Sequence, residues 1–257
     1  MKYAVITGAS KGIGKAIAFE LAKRNYNLLL SGRNLYDLKQ LAETLEREYQ
    51  IDVKFLGSDL ADPKGAERLF NWAIDQKVDI RILVNNAGSG LVGKFESYSN
   101  EEYLKMIQLN CQSVISLCNY FYPALIGKGD AHILNIASSS AYQSVPYLSV
   151  YAATKSFVLS FSRGIYNEWK KRGLFVTATS PGPTITNFNE SANVPEKIDK
   201  AARSVAMSAE DVARISVKAM FNKKPEKVIG IINQFGAIMA KWLPKSIVEG
   251  LTLSLYK

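Results

Sequence analysis

Seven short apolar runs recur along the chain, and most are followed by a longer stretch with helical spacing. This alternation leaves few folds open. The runs are YAVIT (3–7), NLLLSG (27–32), VKFLGS (53–58), RILVNN (81–86), HILNIAS (132–138), FVTATS (175–180) and KVIGII (227–232). They are short, apolar and often β-branched, which suits strands covered on both faces. Residues 12–24, 34–49, 63–76, 101–126, 150–172 and 208–221 carry apolar residues at helical spacing. Strands separated by helices pair in parallel, so the pattern predicts an α/β fold with a doubly wound parallel sheet of about seven strands. Apolar residues make up 47% of the 257, enough for a sizeable core. Asp62 before Pro63 reads as a cap with a first-turn proline, SAED (208–211) as a capped helix start, and Gly173 as a helix stop.

The stretch TGASKGIG (7–14) follows the first strand and opens the first helix. Gly8 permits a tight turn, Gly12 a close approach of backbone to a pyrophosphate, and Gly14 close helix–strand packing. Ser10, Lys11 and Ile13 belong to the same loop, and the helix N-terminus faces phosphate charge. An ordinary glycine turn is the alternative, but the strand–turn–helix context favours dinucleotide binding. The fold expectation becomes a Rossmann-type, three-layer αβα sandwich with strand order 3-2-1-4-5-6-7. The second strand ends in Ser31, Gly32 and Arg33, with no acid for ribose hydroxyls. Arg33, with Lys11, can pair with a 2′-phosphate, which favours NADP(H) over NAD(H); solvated surface charges are the alternative. Asp59 and Leu60, after the third strand, fit an adenine-edge contact, with a helix cap as the alternative for Asp59.

Composition excludes other chemistries. The net charge of +9 favours anionic partners, but no basic cluster interleaved with aromatics marks nucleic-acid binding. His132 and the cysteines Cys111 and Cys118 make no zinc site, and His132 lies in an apolar run unsuited to a triad. Seven residues apart, the cysteines share a helix face but lie too far apart to bridge. No charged leader or apolar stretch of membrane-spanning length is visible, so a cytoplasmic, reduced location is expected.

Tyr151 and Lys155 stand four residues apart on the helix at 150–172, one above the other on the same face. A nearby ammonium lowers the pKa of a phenol, whose ordinary value near 10 suits it poorly to acid–base work at neutral pH. A surface pair is the alternative for this spacing by itself.

Together these stretches resemble the short-chain dehydrogenase/reductase family of the classical type, from Thr7 to about Gly230. The likeness rests on Thr7, Gly8, Gly12 and Gly14, then NNAG (85–88), Asn110, Ser138, Tyr151, Lys155 and the PG at 181–182, in the family's order. The resemblance implies that Tyr151 is the proton donor or acceptor and that Lys155 lowers its pKa and holds the nicotinamide ribose. It implies that Ser138 hydrogen-bonds the substrate oxygen and Asn110 supports a water chain to Lys155. Asn86, Ala87 and Gly88 would line the cofactor, and Pro181, Gly182 and Thr184 would border the nicotinamide. Three serines stand in a row; the family's spacing of thirteen residues before the tyrosine selects Ser138, with Ser139 as the alternative. Ala141 stands where the family often has glycine. Homodimers or homotetramers through the helices at 101–126 and 150–172 are also implied.

The function expected is hydride transfer between NADP(H) and a small-molecule carbonyl or alcohol, lipophilic or acyl-type. A catalytically silent dinucleotide sensor is the alternative, and the intact Asn110, Ser138, Tyr151 and Lys155 argue against it. Tyr142, Gln143, Tyr147 and Phe188 are candidates for the substrate wall, with core packing as the other reading. One domain is expected over 1–257, with a polar substrate lid at 183–206 and an amphipathic tail at 234–257. In the tail, Phe235, Ile238, Met239, Trp242 and Leu243 fall at helical spacing, with Lys241, Lys245 and Lys257 nearby. Packing on its own domain or a second subunit is the favoured reading; resting on an anionic membrane surface is the other.

Overall fold

The computed structural model describes residues 1–186, 188, 192, 194, 200 and 203–255. Its centre is a seven-stranded, wholly parallel sheet of β1 (Lys2–Thr7), β2 (Asn27–Gly32), β3 (Val53–Gly57), β4 (Asp79–Asn85), β5 (Ala131–Ile136), β6 (Leu174–Ser180) and β9 (Glu226–Val228). The order is β3-β2-β1-β4-β5-β6-β9. The seventh strand of this sheet is the ninth in the chain because β7 (Thr184–Ile185) and β8 (Met207–Ser208) pair separately before it.

Side chains alternate across the sheet, so each strand feeds two cores. From β1, Tyr3 and Val5 enter one core with α3 (Gly65–Asp75), α5 (Ser113–Leu125) and α6 (Ser149–Trp169). Ala4 and Ile6 enter the other, with α1 (Gly12–Ala22), α2 (Leu35–Tyr49) and α7 (Ala209–Phe221). Both faces are thereby covered, as the apolar runs require. The chain reverses its winding between β1 and β4, and the C-terminal strand ends part there into a crevice.

Several boundaries differ from the expected ones. The run KVIGII is a strand only to Val228, because Gly230 turns the chain at φ 91° and α8 (Ile231–Trp242) begins at once. The helix expected at 101–126 is divided: α4 (Asn100–Ile107), a π turn over Gln108–Gln112, then α5. Asp62 lies three residues before α3 rather than at its cap, where it accepts the Lys64 N–H at 2.8 Å. Ser208 does cap α7, accepting the Asp211 N–H at 3.0 Å.

Half of the lid expected at 183–206 lies outside the described residues. In the tail, α8 and α9 (Lys245–Leu255) are helical, but α8 buries no residue, and Phe235, Ile238 and Trp242 are exposed. The tail's apolar stripe is thus divided: Phe235, Ile238 and Trp242 stay exposed while Met239 and Leu243 are half-buried. No helix among the described residues is long and apolar enough to cross a membrane.

Candidate active site

The crevice at the strand ends is a cleft of about 500 Å³. Its floor is built by the glycine turn. Thr7 ends β1, and its Oγ1 donates to Val84 O at 3.1 Å and accepts the Asn86 and Ala87 N–H groups at 3.0 and 3.1 Å. Asn86 Nδ2 returns bonds to Thr7 O and Gly8 O, locking the β1 and β4 ends together. Gly8 has φ 64°, which favours glycine. A Cβ on Gly14 would stand 2.2 Å from Gly8 O, so α1 packs on this turn more closely than alanine permits.

Two observations test whether a dinucleotide fits. The first turn of α1 has no acid and no side-chain cap, so its N–H groups and positive end are left for an anion. Ser31, at the end of β2, lines the cleft, and its buried Oγ has no hydrogen-bond partner among the described residues. A buried hydroxyl of that kind calls for a ligand or water. Both fit the phosphates and ribose of a dinucleotide. Gly8, Ser10, Lys11, Gly12, Ile13, Arg33, Asp59 and Leu60 also line this half of the cleft. Asp59 Oδ1 also accepts the Ala61 N–H at 2.9 Å, holding the turn after β3. The sequence reading missed Asn34 and Asp37, which line the cleft beside Arg33. Asn34 caps α2 and its Nδ2 donates to Asp37 Oδ2 at 2.8 Å, so a carboxylate shares this half of the cleft with Arg33.

At the other end α6 presents Tyr151 and Lys155 to the cleft. Lys155 is only 5% exposed; its Nζ donates to Ile136 O at 2.9 Å and lies 5.7 Å from the Tyr151 ring centroid. Burial lowers the Lys155 pKa to about 8. Ser138 follows β5, and its Oγ accepts the Ser140 N–H at 3.2 Å and the Ser140 hydroxyl at 3.0 Å. With both bonds accepted, the Ser138 hydroxyl hydrogen is left to point elsewhere. Ser139 also lines the cleft, and its N–H donates to Pro181 O at 2.8 Å.

Asn110 sits in the π turn, buried, and does not line the cleft. Its Nδ2 donates to Ser89 O at 2.8 Å and Thr154 Oγ1 at 3.0 Å, and its Oδ1 accepts the Ser89 N–H at 3.0 Å. Asn110 thus clips the loop after β4 to α6, one residue from Lys155. Asn86, Ala87, Gly88, Pro181, Gly182 and Thr184 line the cleft between its two ends.

Phe188 lines the cleft with its ring 5.5 Å from that of Tyr151, centroid to centroid. Tyr142, Gln143 and Tyr147 stand outside the lining. The short 3₁₀ turn Ser139–Tyr142 aims Tyr142 at the sheet edge, where its hydroxyl donates to Glu226 Oε1 at 2.6 Å. The apolar wall comes instead from Val92, Leu109, Leu148 and Val194 with Phe188. Val92, Leu148 and Val194 are in irregular segments, where no periodicity marks a residue as facing a cavity.

A family model described as short chain dehydrogenase matches residues 2–197. The chain is 33% identical over 200 residues to a very-long-chain 3-oxoacyl-CoA reductase-B of Danio rerio, covering 74% of this chain and 61% of that one. A solved short-chain dehydrogenase from Sphingobium yanoikuyae in complex with NADPH superposes with a TM-score of 0.83 at 26% identity, covering 94% and 93% of the two chains. A short-chain dehydrogenase/reductase from Burkholderia phymatum in complex with NAD matches at 0.84, covering 93% and 92%; at 24% identity that likeness is one of fold.

Proposed function

The chain belongs to the short-chain dehydrogenase family, oxidoreductases acting on carbonyl and alcohol groups with a nicotinamide dinucleotide, and from that premise we propose that it is an NADPH-dependent carbonyl reductase. The observation that carries this reading is the convergence of Ser138, Tyr151 and Lys155 on one cleft with an uncapped helix N-terminus and an orphaned Ser31 hydroxyl. When bound, NADPH supplies the hydride.

The remaining work falls to the chain's own groups. Ser138, its oxygen already accepting from Ser140, donates its hydrogen to the substrate carbonyl oxygen and stabilises the charge that develops there. Tyr151 gives its phenolic proton to the same oxygen. The Lys155 ammonium favours the phenolate that remains. Asn110, engaged by Ser89 and Thr154, holds the β4 loop and α6 in register. Side chains of Val92, Leu148, Phe188 and Val194 exclude water and suit a lipophilic or acyl-type substrate. The name of the Danio rerio relative is consistent with that class.

Preference for NADPH rests on Arg33 and Lys11 against the opposing carboxylate of Asp37. Assembly into homodimers or homotetramers through α5 and α6 is part of the same proposal. Exposed Ile115 and the Phe157–Phe161 ring stack, with centroids 5.8 Å apart, supply its apolar surface. The test is a panel of ketones and 3-oxoacyl thioesters followed by NADPH absorbance, with NADH in parallel. Turnover of an apolar ketone with NADPH is expected; no consumption of either cofactor across the panel would reject the reading.

A further inference from the structure

Beyond the cleft, α8 presents the apolar surface least accounted for by the fold. Ile231, Phe235, Ile238 and Trp242 recur at i, i+4, i+7 and i+11, which sets them in one stripe. Their exposures are 85%, 65%, 56% and 78%. Lys241 and Lys245 stand where the stripe ends, and Glu249 is the one acid in residues 229–257.

We propose that this stripe docks the protein onto an anionic lipid surface. Lys241 and Lys245, with one acid over residues 229–257, complement a negatively charged surface. At a lipid surface, aromatic and aliphatic side chains sink below the headgroups while lysines meet their negative charge.

The inner side of α8 ties this surface to the cleft. Asn233 Nδ2 donates to Ile229 O at 2.7 Å, and a Cβ on Gly182 would stand 2.1 Å from that nitrogen. Gly182 lines the cleft, and α8 also contacts the turn Ser139–Tyr142. Docking through α8 therefore brings this rim of the cleft toward the lipid, a route for the apolar substrate; only that consequence rests on the carbonyl-reductase reading.

The test is flotation of the full-length protein with vesicles of phosphatidylcholine alone or mixed with phosphatidylglycerol. The wild-type protein is expected to float with the anionic vesicles and to be released by salt. The Phe235→Glu/Trp242→Glu variant is expected to lose roughly tenfold or more of its bound fraction, with unchanged turnover of a water-soluble ketone. The Lys241→Gln/Lys245→Gln variant should lose the preference for anionic vesicles. Wild-type protein left wholly in the aqueous fraction would overturn the proposal, as would a glutamate variant that floats equally. So would a wild type that does not float and a variant whose mass by light scattering drops to a smaller oligomer, which would make the stripe a subunit contact. Vesicle binding is read without turnover, so a failed carbonyl panel leaves this test intact.

Discussion

His132 offers a stability test with a sign fixed by its surroundings. It lies in β5, 3% exposed, between the rings of Phe175 and Phe221 at 5.8 and 5.5 Å. Its Nδ1 has no hydrogen-bond partner among the described residues. Burial, and then the nearby Lys223 charge, lower its pKa from 6.5 to about 4; Asp130 opposes this and Lys2 adds slightly to it. The unfolded chain therefore binds the proton first as pH falls. Stability is fully present above about pH 6.5 and is lost progressively toward pH 4. With those two values the linkage relation gives a loss of about 2 kcal/mol at pH 5 relative to pH 7.5, rising to about 3 kcal/mol at the acid limit. Urea unfolding of wild type and His132→Leu at both pH values isolates this contribution, because other titrating groups are common to both. The variant should show a shallower pH slope by about 2 kcal/mol between pH 7.5 and 5. Equal slopes, or an imidazole NMR signal titrating near 6.5 in the folded protein, would refute the reasoning.

Three further outcomes follow from the cleft. Gly14→Ala places a methyl 2.2 Å from Gly8 O, so calorimetry should show a melting temperature lower by roughly 2–10 °C and titration a loss of dinucleotide affinity. Arg33→Ala should raise the KM for NADPH about tenfold and leave that for NADH unchanged, as read from initial rates. Ser140→Ala removes the 3.0 Å hydroxyl bond to Ser138, and kcat should fall roughly 3–10-fold with unchanged NADPH binding by fluorescence.

The strands were legible because each apolar run reports a strand covered on both faces, and their order was expected from the dinucleotide-binding type of fold that the glycine turn marks. Arg33 and the glycine turn were legible as cleft residues because their positions are tied to the end of a strand and the start of a helix, whereas the sequence marks Ser31 only as the place of a missing acid. What was hidden lies where periodicity stops. Asn110 falls within a stretch of continuous helical spacing, yet a π turn there sets its carboxamide on Ser89 and Thr154. Asp37 is an acid in the first turn of α2, and only the fold places it on the cleft lining with Arg33. Tyr142 stood between cavity wall and core in the sequence, and Glu226, far away in the chain, takes its hydroxyl. In the tail the stripe was visible, whereas its exposure depends on where Gly230 sends α8 after the last strand.

In the proposed reaction Tyr151 protonates a carbonyl oxygen in a cleft that binds the dinucleotide independently of that hydroxyl. The direct measurement is kcat for the best ketone of the panel in wild type and Tyr151→Phe, with the NADPH dissociation constant of each by fluorescence titration. A fall in kcat of roughly 10²–10⁴-fold is expected, with the dissociation constant changed less than about threefold. Wild-type turnover in the phenylalanine variant, with NADPH bound equally well, would contradict it.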